Sequence, residues 1–440
     1  MMQCQRGRLR RRAIPPLLRE RSFRRYWSAS TISMFGDQIS GIALPLTAVL
    51  VLHATATQMG YLTALEWLPS LLFGLHLGVL VDRRGHRRVT MIAADLGRAL
   101  VYGSIPVCFA LHVLTLPQLY SVMFAAGTLS VLFGVADGTL FVSVVPPDRY
   151  VDGQSLIYGS RALSFTGGPS IGGVLVQLLS APVTVVCDAL SFLGSACCLA
   201  RIRPVEPPVD TAAKGAVSAG ARFMIRDPIA RSSLIAVAVI NFFNLMFGAV
   251  YLLYAVRVLH IKPGVLGVLL GIAAASGILG AAVTKPIAAR IGIGWTFTIG
   301  CLLFSAPLIG WPLAGGPRVL VLATLFLAEL GCGFGVMMLD ISIGAIFAAA
   351  IPDHLRSRVI GAFSAVNYGT RPLGAVLGGV VASQIGLRPA LWIATVGGLA
   401  GFFLLLPTPI PRYRMPSDDQ EGLADGGAAL DGGVGVGGAG

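Results

Sequence analysis

Apolar runs about as long as a lipid bilayer is thick recur along the whole of this chain. An α-helix rises about 1.5 Å per residue, so roughly 20 apolar residues carry it across the hydrocarbon core. Runs of that order cover residues 27–52, 58–81, 89–113, 116–146, 156–179 and 182–199. After a polar stretch at 201–231, further runs cover 232–256, 265–283, 293–313, 319–350, 360–385 and 390–407. Of the 440 residues, 55% are hydrophobic and 12% charged, against about a quarter charged in a soluble domain. One aqueous core could not hide so much apolar surface, and lipid is the solvent such a chain requires. The expected fold is an all-α integral membrane protein with twelve transmembrane helices. The predicted divisions are a basic arm at 1–22, a six-helix bundle at 23–200, a linker at 201–231, a second six-helix bundle at 232–410 and a Gly-rich disordered tail at 411–440.

A formal net charge of +13 would suit nucleic acid only if it formed a patch on a soluble face. The charges are arranged otherwise. Basic residues gather in the loops that follow even-numbered runs, at Arg83, Arg84, Arg87 and Arg88, at Arg149, from Arg201 to Arg231, at Lys285 and Arg290, and at Arg356 and Arg358. The opposite loops hold only Arg257, Lys262, Arg318 and Arg388. Cytoplasmic loops carry the excess of Arg and Lys, so both termini are expected in the cytoplasm. Nucleic acid is thereby set aside as a partner. The Arg-rich start is followed by no short apolar run with a small-residue cleavage site, so it reads as a cytosolic arm and not a removed signal peptide. The seven cysteines show no metal-ligand spacing, and no metal or cofactor is expected.

The halves resemble each other. "FGVADGTLFVSVVPPD" at 133 and "FGVMMLDISIGAIFAAAIPD" at 334 each carry Phe-Gly-Val, an acidic residue within the apolar run and a Pro-Asp exit. Gly-rich runs follow both, "GGPSIGG" at 167 and "RPLGAVLGG" at 371. Two pseudo-symmetric six-helix halves, with a site near the bilayer midplane between them, are common in secondary transporters.

Between the second and third runs lies "GVLVDRRGHRRV", residues 78–89. Gly78, Asp82, Arg83, Gly85 and Arg87 stand where the major facilitator superfamily has its loop motif, with His86 in place of the first closing basic residue. In the fifth run Gly168, Pro169, Gly172 and Gly173 match the core of that superfamily's exporter motif, although Ser164 replaces an upstream glycine. "FRRYWSASTISMFGDQISGIALPL", "CDALSFLGSA" and "IPDHLRSRVIGAFSAVNYGTRPLGAVLGG" are similar to the bacterial branch that contains the enterobactin exporter and macrolide efflux proteins. The resemblance runs over residues 17–406. It implies a secondary exporter of amphipathic small molecules (drug, siderophore or secondary metabolite), working by alternating access with proton antiport. It also implies a monomer in the bacterial inner membrane, with the loop at 78–89 as a latch of the outward-open state. In that latch Asp82 would accept hydrogen bonds from a helix N-terminus. One departure bears on coupling: many drug/proton antiporters have an arginine in the fourth span, and residues 116–146 contain none.

The alternatives are an importer of the same fold and a multi-pass membrane enzyme. No phosphate loop ending in Lys-Ser or Lys-Thr occurs in the cytoplasmic segments, which argues against an ATPase. The six histidines are scattered over unrelated segments, without a paired catalytic grouping.

Ionisable groups inside a membrane are costly and mark function by default. Asp37, Asp137, Glu66, Glu329 and Asp340 are the carboxyl candidates for proton coupling or for pairing with a cationic substrate. Arg371, deep in the eleventh run, could pair with a carboxylate of the tenth or attract an anion. Asn241 and Asn244 share a helix face and could bond a ligand or a neighbouring helix. Other charges have plainer readings. Asp95 and Arg98, three apart, are expected to neutralise each other near the cytoplasmic end of their helix. Asp188 reads as a packing or capping element, and Arg161 as reaching the headgroups. Residues 216–234 could form an interfacial helix with Phe223 and Met224 in lipid, or a flexible tether.

Overall fold

The computed structural model describes residues 15–146, 149–202 and 217–414. The expectations for most of the basic arm, the middle of the linker and the Gly-rich tail fall outside these residues. The apolar runs are helical, since backbone polar groups in lipid must be satisfied within the segment itself. The first six long helices are α1 (Arg21–Leu50), α2 (Ala56–Arg84), α3 (Arg87–Ala110), α4 (Leu116–Val144), α5 (Tyr150–Leu179) and α6 (Ala181–Ala200). The second six are α7 (Pro228–Arg257), α8 (Pro263–Ile291), α9 (Ile293–Leu313), α10 (Arg318–Ala350), α11 (Asp353–Ile385) and α12 (Leu387–Leu405). No strand occurs among the described residues.

Ten of the twelve are long and apolar enough to cross a membrane. The other two, α2 and α11, are equally long, with some of their side chains outside the described residues; α2 carries Glu66 and His76 within its span, and α11 carries Asn367 and Arg371. They pack on each other, so part of their surface meets protein instead of lipid. The arrangement is compatible with twelve spans.

The internal repeat is visible in the turns. Left-handed backbone occurs at His53 (φ 50°) between α1 and α2, and at His260 (φ 51°) between α7 and α8. The same match holds for Gly85 and Gly292, His112 and Gly316, and Ser180 and Gly386, each pair at equivalent connections. Around His53 the Leu52 N–H donates to the Thr47 carbonyl and the Ala54 N–H to that of Ala48. Leu259 to Tyr254 and Ile261 to Ala255 repeat this around His260. These bonds satisfy carbonyls that a helix end would leave orphaned. Three of the six histidines are thus turn residues. Helix packing repeats as well. Helix α1 lies on α5 and α6, α2 on α4, and α3 on α4 and α6; α7 lies on α11 and α12, α8 on α10, and α9 on α10 and α12.

The halves meet along α2–α11 and α5–α8. Both seams are tightest at the end away from the linker. A Cβ on Gly60 would stand 2.7 Å from the Ala375 carbonyl oxygen, and one on Gly267 2.4 Å from that of Pro169. Arg257 Nη2, at the end of α7, donates to the Ala54 carbonyl of the α1–α2 turn (2.8 Å), and the Gly264 N–H of α8 donates to Gln177 Oε1 of α5 (3.2 Å). At this far end one continuous core joins both halves, from Leu46, Met59 and Leu62 to Leu253, Leu266 and Trp311. At the linker end the core is split. Phe23, Tyr26 and Leu140 belong to one cluster, and Phe297, Ile346 and Met224 to another.

The linker forms a helix at Val217–Arg226, packed on α11. Contrary to the expectation of lipid contact, Met224 is buried and Phe223 partly buried against the second half. Ile225 of the same helix is exposed.

Candidate substrate cavity and its charged groups

A cavity of about 720 Å³ lies midway along the helices, lined mainly by α1, α2 and α4 and reached by Phe165 of α5 and Tyr368 of α11. A neighbouring cavity of about 330 Å³ shares Gln38, Gly41 and Phe165 and extends to Leu270, Ala273 and Cys332 across the seam. Asp37 and Glu66 are the two carboxyl groups on the larger cavity's wall, among Trp67, Tyr102, Met123 and Phe165. The central space therefore joins a small number of polar groups to a largely apolar and aromatic lining.

Trp67 stacks on Tyr368 across the seam, with ring centroids 6.0 Å apart and planes 16° apart. The Arg371 guanidinium lies 4.2 Å from the Trp67 ring centre and 5.0 Å from that of Tyr368. Such cation–π contacts hold the charge without a direct ion pair. Glu66 and Asp340 both act on Arg371 electrostatically, so the arginine of the eleventh run stands between a carboxyl of α10 and one from the opposite half.

Asp37, midway along α1, has its side chain 42% exposed and stands 3.7 Å from Arg98. Arg98 is buried, donates to Asp95, and lies between the faces of Phe133 (4.5 Å) and Phe192 (4.1 Å). The i,i+3 pair is present, but not near a helix end. Helix α3 begins at Arg87, which puts Asp95 and Arg98 at mid-depth. Asp188 is fully buried, accepts from Ser191 Oγ (2.9 Å), and packs against Gly36 next to Asp37.

The other candidates are dispersed. Asp137 lies toward the linker end of α4 and accepts from Tyr26 Oη at 2.7 Å. Arg161 is exposed and acts electrostatically on both members of that pair. Glu329 is buried in the second half and accepts from Trp311 Nε1 (2.9 Å). Asn244 lines a water-sized void inside the second half with Ser305 and Thr395. Asn241 donates to the Val237 carbonyl of its own helix.

The motif residues of α5 sit at helix crossings. A Cβ on Gly168 would lie 2.4 Å from Gln38 Cβ, and one on Gly172 3.1 Å from Ile39 Cα; Gly173 faces Pro263 and Gly267 of α8. Pro169 borders the smaller cavity. Gly85 ends α2 with φ 65°, and Arg87, which opens α3, is buried. The side chains of Asp82 and Arg83, and the packing of Gly78, lie outside the described residues.

Arg98 and Asp188, expected from the sequence to be a neutralised charge and a packing element, stand beside the cavity carboxyl Asp37. Counting residues from the basic turn would have given Arg98 its depth. The contact of Asp188 with α1 had no sequence signal.

The model for the Major Facilitator Superfamily matches residues 26–370. The chain belongs to that superfamily. It is 27% identical to an uncharacterized MFS-type transporter, YfiS, of Bacillus subtilis, over 83% of this chain and 88% of that protein. It is also 27% identical to the multidrug efflux pump Tap of Mycobacterium tuberculosis, over 82% of this chain and 87% of that one. Among solved structures it is similar to the nucleoside transporter NupG (TM-score 0.68, 13% identity, 88% of this chain and 98% of that one). It is likewise similar to a bacterial homologue of the iron transporter ferroportin in its inward-facing state (TM-score 0.69, 14% identity, 88% and 98%). At these identities the structural likenesses show the fold. The chain is a multi-pass membrane transporter of small molecules and not an enzyme.

Proposed function

We propose that this transporter exports amphipathic, cationic small molecules by alternating access, in exchange for protons. The observation that carries the reading is the central cavity, whose about 720 Å³ falls within the usual range for drug-sized ligands, roughly 300–1,000 Å³. Asp37 and Glu66 supply negative charge on its wall, and Trp67, Tyr102, Phe165 and Tyr368 supply flat apolar faces. Carboxyl groups beside aromatic rings attract a cation that also carries apolar surface. The similarity to multidrug efflux pumps supports the direction of transport.

In this reading 23–200 and 232–410 are the two bundles that rock against each other. The chain acts as a monomer in the bacterial inner membrane, with termini and linker in the cytoplasm, as the Arg and Lys distribution suggests. The shared far-end core and the split linker-end core then correspond to a state open to the cytoplasm. The loop at 78–89 would close that side in the opposite state.

Expression in a bacterium stripped of its own efflux pumps is expected to lower ethidium accumulation, and a protonophore to abolish the difference. Unchanged accumulation of ethidium, a macrolide and a siderophore, with the protein verified in the membrane, would refute drug export.

A further inference from the structure

We propose that Asp37, Asp95 and Asp188, gathered around Arg98, form the site at which this transporter carries its coupling protons, with Asp37 as the port to the cavity and Asp188 as the buried store. The inference rests on the export reading above and names the residues that couple it.

The charges do not balance. One guanidinium contacts Asp95 of α3 and lies 3.7 Å from Asp37 of α1, and it acts electrostatically on a third carboxyl group, Asp188 of α6. Arg98 can neutralise one of them, and an uncompensated charge at this depth is expensive. Among the described residues no group of His, Cys, Asp and Glu is arranged to hold a metal ion. Protons supply the missing positive charge.

Two oxygens show where. Asp188 Oδ2 and Asp95 Oδ2 are buried, on side chains that are 0% exposed, with the hydroxyls of Ser40 and Ser195 as their polar neighbours. An ionised carboxylate only accepts, whereas the acid has an O–H to donate. Asp188 is aimed at α1: a Cβ on Gly36 would fall 2.1 Å from its Oδ1. It also acts electrostatically on Asp37, the next residue along. Two carboxyl groups that repel each other at this depth cannot both be ionised cheaply, so a proton on one relieves the other.

Access is one-sided. Of the three, only Asp37 lines the cavity. The other titratable or charged groups that act on the cluster are Glu66 of α2 and Tyr102 of α3, with Asp137 of α4 toward the linker end. Since residues 116–146 contain no arginine, the guanidinium that meets Asp37 comes from α3 instead of α4.

In the exchange, a cationic substrate entering beside Asp37 displaces its proton to cavity water, and the O–H bond breaks to leave a carboxylate and hydronium. In the opposite state hydronium returns a proton to the same oxygen and becomes water. The substrate loses its counter-charge and leaves. Asp188 can take up the proton from Asp37 or give it back, so the store never opens to the cavity directly.

Infrared spectra of the purified protein in lipid, over a mildly acid to mildly alkaline series, read the C=O stretch of protonated carboxyl groups. Asp188→Asn is expected to remove one such band, and Asp37→Asn to shift the pH at which that band disappears. In proteoliposomes both substitutions should abolish ethidium efflux driven by a pH gradient, while ethidium exchange without a gradient persists in Asp188→Asn, whose side chain does not line the cavity. That split would not arise from a packing defect. If Asp188→Asn does not fold, Arg98→Lys serves, with a shifted band expected. Bands and gradient-driven efflux equal to wild type in Asp37→Asn and Asp188→Asn would overturn the proposal, as would efflux that follows a sodium gradient and ignores pH. A wild-type protein that moves neither ethidium nor a macrolide nor a siderophore but keeps the Asp188-dependent band would refute the export reading and support the proton site.

Discussion

Substituting Gly267 by Ala tests whether the far-end seam sets the balance between the two states. The added Cβ would stand 2.4 Å from the Pro169 carbonyl oxygen and 3.0 Å from Gly173 Cα, where ordinary contact begins at 3.4 Å. The obstacle is backbone on a facing helix, so α5 and α8 must part by roughly 1 Å. Overpacking of that size costs about 1–3 kcal/mol. The cost falls on the state in which this seam is closed, and an equilibrium with its alternative would move by about 5- to 150-fold. Spin labels at His76→Cys and Ile360→Cys, both exposed toward the linker end of α2 and α11, report the separation there once the native cysteines are replaced. Double electron–electron resonance should show a growing short-distance population in Gly267→Ala. A distribution unchanged from the parent, or one shifted to longer distances, would refute the seam as the state-setting contact.

Other substitutions probe separate links. Glu329→Leu leaves the Trp311 indole N–H buried without its acceptor, at a cost of about 1–3 kcal/mol. Glu329→Gln keeps a carbonyl oxygen there, so thermal melting should fall for the first and scarcely for the second. Gly36→Ala would drive a Cβ into Asp188 and Ser191, whereas Gly41→Ala meets nothing within 4 Å; melting should drop for the former alone. Trp67→Ala removes the stack on Tyr368 and the face beneath Arg371, contacts worth about 0.5–2 kcal/mol. Ethidium affinity should fall by a few-fold, measured by fluorescence titration.

The helices were legible because lipid imposes one length and one polarity on every crossing. The repeat was legible in the paired Phe-Gly-Val segments, and the turns extend it to His53 and His260, whose shared role no spacing betrays. The cavity was legible only in part. Asp37 and Glu66 were found because a carboxyl in an apolar run stands out. Arg98 and Asp188 carry equally visible charges, but their meeting with Asp37 depends on how α1, α3 and α6 pack. That packing follows from small residues such as Gly36, whose partners a single sequence does not name. For Phe223 and Met224, a high amphipathicity reads the same whether lipid or protein covers the apolar face.

The single core at the far end has a consequence for the covalent chain. Leu46, Met59 and Leu62 pack into the same cluster as Leu253, Leu266 and Trp311, so adhesion between the halves does not depend on the peptide that joins them. A protein severed within 203–216 and produced as two polypeptides should reassemble in the membrane and co-purify, held as a heterodimer whose interface is the far-end core.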